Sequence, residues 1–257
     1  MVIHLLKKSY LLKNLKETKF RDLWGDYGIF TTMWIYGKPP KILFKDDHIK
    51  NLISSLKDYG IEKKSIKKDI FKLININLSK KIVYNHLLRV AVNKRIISIS
   101  LRKRIPPKLE FDLKLIRLIR EKPNYKNLKY KKILYHLSKM DNSKSDIGLV
   151  NNNKILETGT SNIIFVKNEK LFTPKKDYYE GNTLKFFKKK FKKIIKKDIF
   201  IQDIKKYDEI ILIGSGKGVA SVRSVKQFNW NRKNLNQYKK FSKLYLSAIQ
   251  RCKSHKF

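Results

Sequence analysis

The stretch Lys126-Asn127-Leu128-Lys129-Tyr130, running on to Glu157-Thr158-Gly159-Thr160-Ser161-Asn162, decides how this chain folds. Between the two blocks, Tyr130, Ile133, Leu134 and Leu137 recur at helical spacing. Short apolar runs follow, Ile147 to Val150, Lys154 to Leu156 and Ile163 to Val166, and read as strands. The amine of Lys126 and the carboxylate of Glu157 are about thirty positions apart, so only a fold can bring them to one place. Read from the residues alone, Glu157 ends a strand before a turn of small polar residues. Lys126 is one lysine among many. A lysine that works as a nucleophile must be partly desolvated, which pulls its pKa below about 10.4.

Upstream, Gly28 to Gly37 is rich in β-branched and aromatic residues and reads as a strand, with Lys41 to Phe44 as its hairpin partner. Asp46 or Asp47 can cap a helix carrying Ile49, Leu52, Ile53 and Leu56, and Ser65 can open a second with Ile66, Ile70, Phe71 and Leu73. Leu88 to Leu101 suggests strands. Pro106-Pro107 marks a break, and the segment from there to Pro123 is the best linker candidate. Downstream, Leu184, Phe187, Phe191, Ile194 and Ile195 form one helical apolar stripe, with lysines on the other face. Asp208 to Ile213 reads as a buried strand running into Gly214-Ser215-Gly216-Lys217-Gly218, and the tail from Leu235 to Cys252 reads as helix.

With 257 residues, 42% hydrophobic and 12% aromatic, the chain can bury one large core or two smaller ones, which excludes wholesale disorder. The net charge of +40 suggests nucleic acid or an anionic membrane. Yet the excess is mostly lysine, spread from end to end with abundant asparagine and isoleucine, the residues of adenine- and thymine-rich codons. Base readers lean on arginine, which is scarce here. The charge is therefore read as compositional drift rather than a nucleic-acid surface. Cys252 is the single cysteine, so no intramolecular disulfide or CxxC metal framework exists. Met1-Val2-Ile3-His4-Leu5-Leu6 meets Lys7 and Lys8 at once, unlike a secretory signal, and no run is apolar enough to span a bilayer. The expected compartment is the cytoplasm.

The histidines His4, His48, His86, His136 and His255 have no metal-ligand spacing, and no serine sits in a G-x-S-x-G elbow. The loop from Gly214 to Gly218 is neither a Walker motif nor G-x-G-x-x-G. A phosphate loop and a plain strand-turn-strand stay equally open.

Taken in order, the blocks resemble the class IV aminotransferases, the fold-type IV pyridoxal phosphate family of branched-chain and D-amino acid aminotransferases and aminodeoxychorismate lyases. Trp24-Gly25-Asp26-Tyr27-Gly28-Ile29-Phe30-Thr31-Thr32 resembles its N-terminal block, and His48-Ile49-Lys50-Asn51-Leu52 its His-x-x-Arg-Leu block. Lys126 to Tyr130 resembles the block that holds the Schiff-base lysine. Glu157 to Asn162 resembles the block whose glutamate meets the pyridine nitrogen, and Leu171-Phe172-Thr173-Pro174 the Thr-Pro that follows. Gly181-Asn182-Thr183 resembles the Gly-Ile-Thr-Arg phosphate loop, and Gly214 to Val219 falls where a second phosphate loop is kept. The family's arginines are replaced by Asn51 and Leu184; Lys50 and Lys185 stand beside them.

The resemblance implies an α/β (α+β type) fold of two domains, residues 1–107 and 124–257, joined by a linker at 108–123, with the lysine in the second domain and the cofactor between them. It implies pyridoxal 5'-phosphate as cofactor, a small-molecule substrate, no membrane and a homodimer. Lys126 would be the catalytic lysine; Glu157, Asn182, Thr183, Ser215, Gly216 and Lys50 would bind cofactor. The short chain and Phe30-Thr31-Thr32 lean toward the lyase, which makes 4-aminobenzoate, a folate precursor, and pyruvate. A branched-chain or D-amino acid aminotransferase is the alternative, and a degenerate basic nucleic-acid-associated protein the rival from another class. Arg89, Arg95, Arg102 and Arg104 are candidates for a substrate carboxylate.

Overall fold

The computed structural model describes residues 4–256, so Met1, Val2 and Ile3 of the stretch read for a leader, and Phe257, lie outside the described residues. The chain divides into two compact units. Unit 1 is Met1–Arg104, Tyr125–Tyr130 and Arg251–Phe257; unit 2 is Ile105–Asn124 and Lys131–Gln250. Among the described residues, no helix is long and apolar enough to cross a membrane.

Along unit 1 run β1 (His4–Leu11), β2 (Glu17–Thr18), β3 (Gly28–Gly37), β4 (Lys41–Ile42), α1 (Lys45–Asp58), α2 (Ile66–Asn77), β5 (Tyr84–Asn93) and β6 (Ile96–Lys103). The strands form one antiparallel sheet in the order β2-β1-β6-β5-β3-β4. Alternation along each strand sorts the side chains onto two faces. Ile29, Met33, Ile35, Leu88, Val90, Val92, Ile97 and Ile99 join Ile49, Leu52, Leu56, Ile70 and Leu73 of the two helices in the main core. Phe30, Ala91 and Ile96 turn the other way and bury a smaller cluster with Leu23 and Leu128. The cap of α1 is Phe44, with φ of 55°, so Asp46 and Asp47 lie in the first turn, where carboxylates favour the helix dipole.

The lysine-bearing block belongs to unit 1, not to the C-terminal domain where the sequence reading put it. The reason is local. The Phe30 N–H donates to the Lys126 carbonyl, and the Leu128 N–H to the Gly28 carbonyl, both at 2.9 Å. The Gly25 N–H donates to the Leu128 carbonyl at 2.8 Å. Gly28 permits this approach, because a Cβ there would meet the Val92 carbonyl oxygen at 2.3 Å and Leu128 Cδ1 at 2.8 Å.

Along unit 2 run β7 (Phe111–Arg117), α3 (Lys131–Ser138), β8 (Ser145–Asn151), β9 (Lys154–Thr158), β10 (Asn162–Lys167), β11 (Lys170–Pro174), α4 (Asn182–Lys190), β12 (Ile194–Lys197), β13 (Glu209–Gly214), β14 (Gly218–Val225), β15 (Trp230–Asn231) and α5 (Asn236–Gln250). The sheet order is β12-β11-β10-β13-β14-β7-β8-β9, with β15 paired to β14. Two sequence expectations need correction here. The supposed linker supplies β7, whose Phe111, Leu113 and Leu115 alternate into the core and which pairs in parallel with both β14 and β8. The apolar stripe is not one helix. It ends at Lys190, Phe191 is extended, and Ile194 and Ile195 pair in parallel with Leu171 and Phe172. β-branched residues beside an open sheet edge gain more from the ladder than from another helical turn. Leu184 and Phe187 are buried on α4 while Lys185, Lys189 and Lys190 are exposed, as an amphipathic helix requires.

Candidate active site

In unit 1, Lys126 is half-buried, with Nζ 5.2 Å from the centroid of the Phe30 ring. That ring packs edge-on to Trp24 and Tyr130, at centroid distances of 4.8 and 5.5 Å. His48 lies beneath, its Nδ1 sharing a 2.8 Å hydrogen bond with Thr31 Oγ1. Burial, and then the charge of Lys126, push the His48 imidazole down to about 3. The lysine therefore has a ring and a neutral imidazole as neighbours. Lys50 is exposed. It stands two positions on from His48, about 200° round the helix. The structure does not bring it to this group, whereas half-buried Asn51 is on the same face as His48.

The arginine candidates separate. Arg95 is exposed in a turn, and Arg104 stacks over the Trp34 ring at 4.2 Å. Arg89 and Arg102 share one face of the sheet, since Leu87 pairs with Arg102 and Arg89 with Ser100. Burial lowers the Arg89 guanidinium to about 10 and pulls Arg102 down as well. Arg89 sits 4.0 Å over the Trp24 ring, donates to the Asp22 carbonyl, and leaves a buried Nε without a partner.

In unit 2, Glu157 is the penultimate residue of β9, at 6% exposure, and Arg120, at 5%, donates from Nε to its Oε1 at 2.7 Å. The loop that follows folds on itself. The Thr158 N–H donates to the Ser161 carbonyl, and the Ser161 N–H returns to Thr158 Oγ1, both at 2.9 Å. Asp146, fully buried at the second position of β8, gathers the loop. Thr158 Oγ1 and Thr160 Oγ1 donate to its Oδ2 at 2.9 and 2.8 Å, and Lys217 Nζ stands 3.5 Å away.

The same loop reaches the start of α4. Asn162 Nδ2 donates to the Tyr179 carbonyl at 2.6 Å, and its Oδ1 accepts from the Gly181 N–H at 3.0 Å. Asn182 and Thr183 open that helix, buried, and Thr183 Oγ1 is a buried hydroxyl without a partner. Leu184, in the place of an arginine, is fully buried in the core, and Lys185 points to solvent. The glycine loop is a β-hairpin turn, with Gly214 opposite Gly218, and Ser215 and Gly216 half-buried at its tip. A Cβ on Gly214 would meet Ser161 Oγ at 3.1 Å, so the turn lies directly against the 158–162 loop. Unit 2 thus places the loop that follows Glu157 against the start of α4, through Asn162, and against the glycine turn, through Gly214.

An anion suits this place. A helix N-terminus offers its first N–H groups, a glycine turn allows close approach of the backbone, and the orphaned Thr183 hydroxyl asks for an acceptor. The residues present therefore fit a phosphate-bearing group. The sequence reading missed Arg120 and Asp146. Arg120 lies in the segment taken for a linker, and Asp146 is one acid beside an apolar run, so neither carried a local signal.

A family model described as amino-transferase class IV matches residues 28–225. Among curated proteins, none matches the chain. Among solved structures, a putative 4-amino-4-deoxychorismate lyase from Legionella pneumophila is 18% identical, with 86% of this chain and 91% of that one covered and a TM-score of 0.72. A branched-chain aminotransferase from Thermoproteus uzoniensis, solved with norvaline, is 16% identical over 93% of each chain, with a TM-score of 0.75. A hypothetical aminotransferase from Mycobacterium tuberculosis in a PLP-bound form is 13% identical, covering 95% of this chain and 99% of that one, with a TM-score of 0.67. At these identities the likeness is one of fold.

Proposed function

The chain belongs to the amino-transferase class IV family of pyridoxal phosphate enzymes, and from that premise we propose that it binds pyridoxal 5'-phosphate and cleaves 4-amino-4-deoxychorismate to 4-aminobenzoate and pyruvate. The observation that carries the cofactor reading is the buried Glu157 joined, through one loop, to a helix N-terminus with an unsatisfied hydroxyl. Pyridoxal phosphate, when bound, supplies an aldehyde and a ring that absorbs electrons. The chain supplies the rest. Lys126 Nζ would hold the aldehyde carbon and would serve as the base and acid that moves the proton of the substrate carbon. The Glu157 carboxylate would favour the protonated ring nitrogen, and Asn182, Thr183, Ser215 and Gly216 would hold the phosphate.

Two features favour the lyase over an aminotransferase. Phe30-Thr31-Thr32 places no carboxylate after the aromatic residue, and Thr31 is engaged by His48. The substrate carries two carboxylates, and Arg89 and Arg102 offer two desolvated guanidiniums on one sheet face. The reading is completed by a cytoplasmic homodimer. An absorbance spectrum with added pyridoxal phosphate tests it: the protein turns yellow, and borohydride fixes the cofactor on Lys126. Lys126→Ala abolishes that adduct and lowers turnover by roughly 10²–10⁴-fold or more. Formation of 4-aminobenzoate and pyruvate identifies the lyase. Glutamate-dependent transamination of 2-oxo acids replaces it with the aminotransferase, and a colourless protein with salt-dependent DNA binding removes the enzyme reading.

A further inference from the structure

Two directional bonds of Arg120 bear on the site. Its Nε–H meets Glu157 Oε1 at 2.7 Å, and its Nη2–H meets the Pro123 carbonyl at 2.6 Å. Both members of the ion pair are almost fully buried, with side-chain exposures of 3% and 8%. Taking two charges out of water is expensive, and an apolar pair of similar volume would close the same space at lower cost. The pair therefore calls for a reason beyond stability. One is at hand in the chain. Pro123 lies three residues before Lys126. Within unit 2, a single guanidinium thus fixes both the acid near the end of β9 and the Pro123 carbonyl. Two acceptors around one planar group also leave it little freedom to rotate, so the direction of the Glu157 carboxylate is set.

We propose that Arg120 is the positioning residue of Glu157: it aims the carboxylate and, as a second cation on the same acid, moderates how tightly that acid holds the proton of a bound cofactor's ring nitrogen. This rests on the pyridoxal phosphate reading above. Other charged and titratable groups nearby have their own partners or stay neutral. Tyr178, which senses the Glu157 charge, is pushed up to about 12 by burial and by Glu180 and so stays neutral. Glu180 is held by Lys188 and Lys196, and Asp146 by Lys217.

The test compares wild type, Arg120→Met, Arg120→Lys and Glu157→Gln, each titrated with pyridoxal phosphate. Three readings are taken: the dissociation constant, the pH midpoint of the bound cofactor's visible band, and the melting temperature of the cofactor-free protein. Removing a cation raises the pKa of any group beside it. Arg120→Met should bind about tenfold or more weakly, as loss of an orienting partner does, and its band midpoint should move to higher pH. Arg120→Lys keeps the charge but loses the fork, so its midpoint stays at the wild-type value while affinity still falls. A lower melting temperature with unchanged affinity and midpoint in both variants would make the pair purely structural and overturn the inference alone. If Arg120→Met does not fold, Arg120→Lys decides: wild-type affinity in it overturns the positioning role. A wild-type protein that gives no visible band removes the cofactor reading and this inference together.

Discussion

Around Lys126, unit 1 places an aromatic ring and an imidazole that burial keeps neutral. Around Glu157, unit 2 places ion pairs, Arg120 on the acid itself and Lys217 on the Asp146 that gathers the next loop. The two arrangements answer opposite needs. A neutral imidazole adds no charge beside the Lys126 amine, whereas a carboxylate that must keep a fixed charge and direction is helped by a buried cation. The comparison teaches that each unit prepares its own reactive group with its own packing.

The contrast breaks most severely at Asp146. Asp146→Asn leaves Lys217 buried beside a neutral amide and should destabilise the protein by about 3–5 kcal/mol, the usual cost of breaking a buried pair from one side. Lys217→Met in the same chain should recover part of that loss. Denaturant unfolding of the single and double variants measures both. If the single variant unfolds like wild type, the Asp146 hub does not hold the loops.

Acid sharpens the contrast. His48 and His255 in unit 1 are lowered from 6.5 to about 3 and about 4, chiefly by burial, so the unfolded chain takes up their protons first. Stability from these groups is complete above about pH 6.5 and declines as the pH falls, by about 1.4 kcal/mol per pH unit for the fully buried His48 and by less for the solvent-screened His255. In unit 2, Lys154 and Lys233 hold Asp198 and Asp208 below the usual 3.8, and what they contribute is lost only below that pH. Hydrogen exchange followed from pH 7 to 4 should therefore show unit 1 loosening first, and His48→Gln should flatten its response. Simultaneous loosening would argue against the buried neutral imidazole.

A smaller break comes from Gly28→Ala, whose Cβ would press on the Val92 carbonyl and Leu128 and lift the lysine block from β3. Overpacking of this kind costs about 1–3 kcal/mol. Borohydride trapping on Lys126 should fall with it, and undiminished trapping would show that the seat tolerates a methyl group. The least effect is expected at Lys50, exposed on α1. Lys50→Ala should change stability by no more than about 0.5 kcal/mol and leave cofactor affinity unaltered. A clear loss of affinity would restore it as a cofactor ligand.

Some of this was already decided by local chemistry. The β-branched and aromatic richness of 28–37, the helical spacing in 49–56 and the ordered blocks around Lys126 and Glu157 depend on neighbours along the chain, and they led to the right fold and family. The boundary of the lysine-bearing unit was different. Tyr125–Tyr130 joins unit 1 because Gly28 lets a backbone far away in sequence come within bonding distance, and no pattern inside 125–130 records that. Likewise β7 looked like a linker because its partners, β8 and β14, lie elsewhere in the chain. Arg120 with Glu157, and Asp146 with Lys217, are pairs separated by long stretches of sequence, each unremarkable until burial removes water from both charges. Periodicity and motif order are properties of neighbouring residues and are legible in the chain. Which charge is buried against which is a property of packing, and tertiary structure alone could decide it.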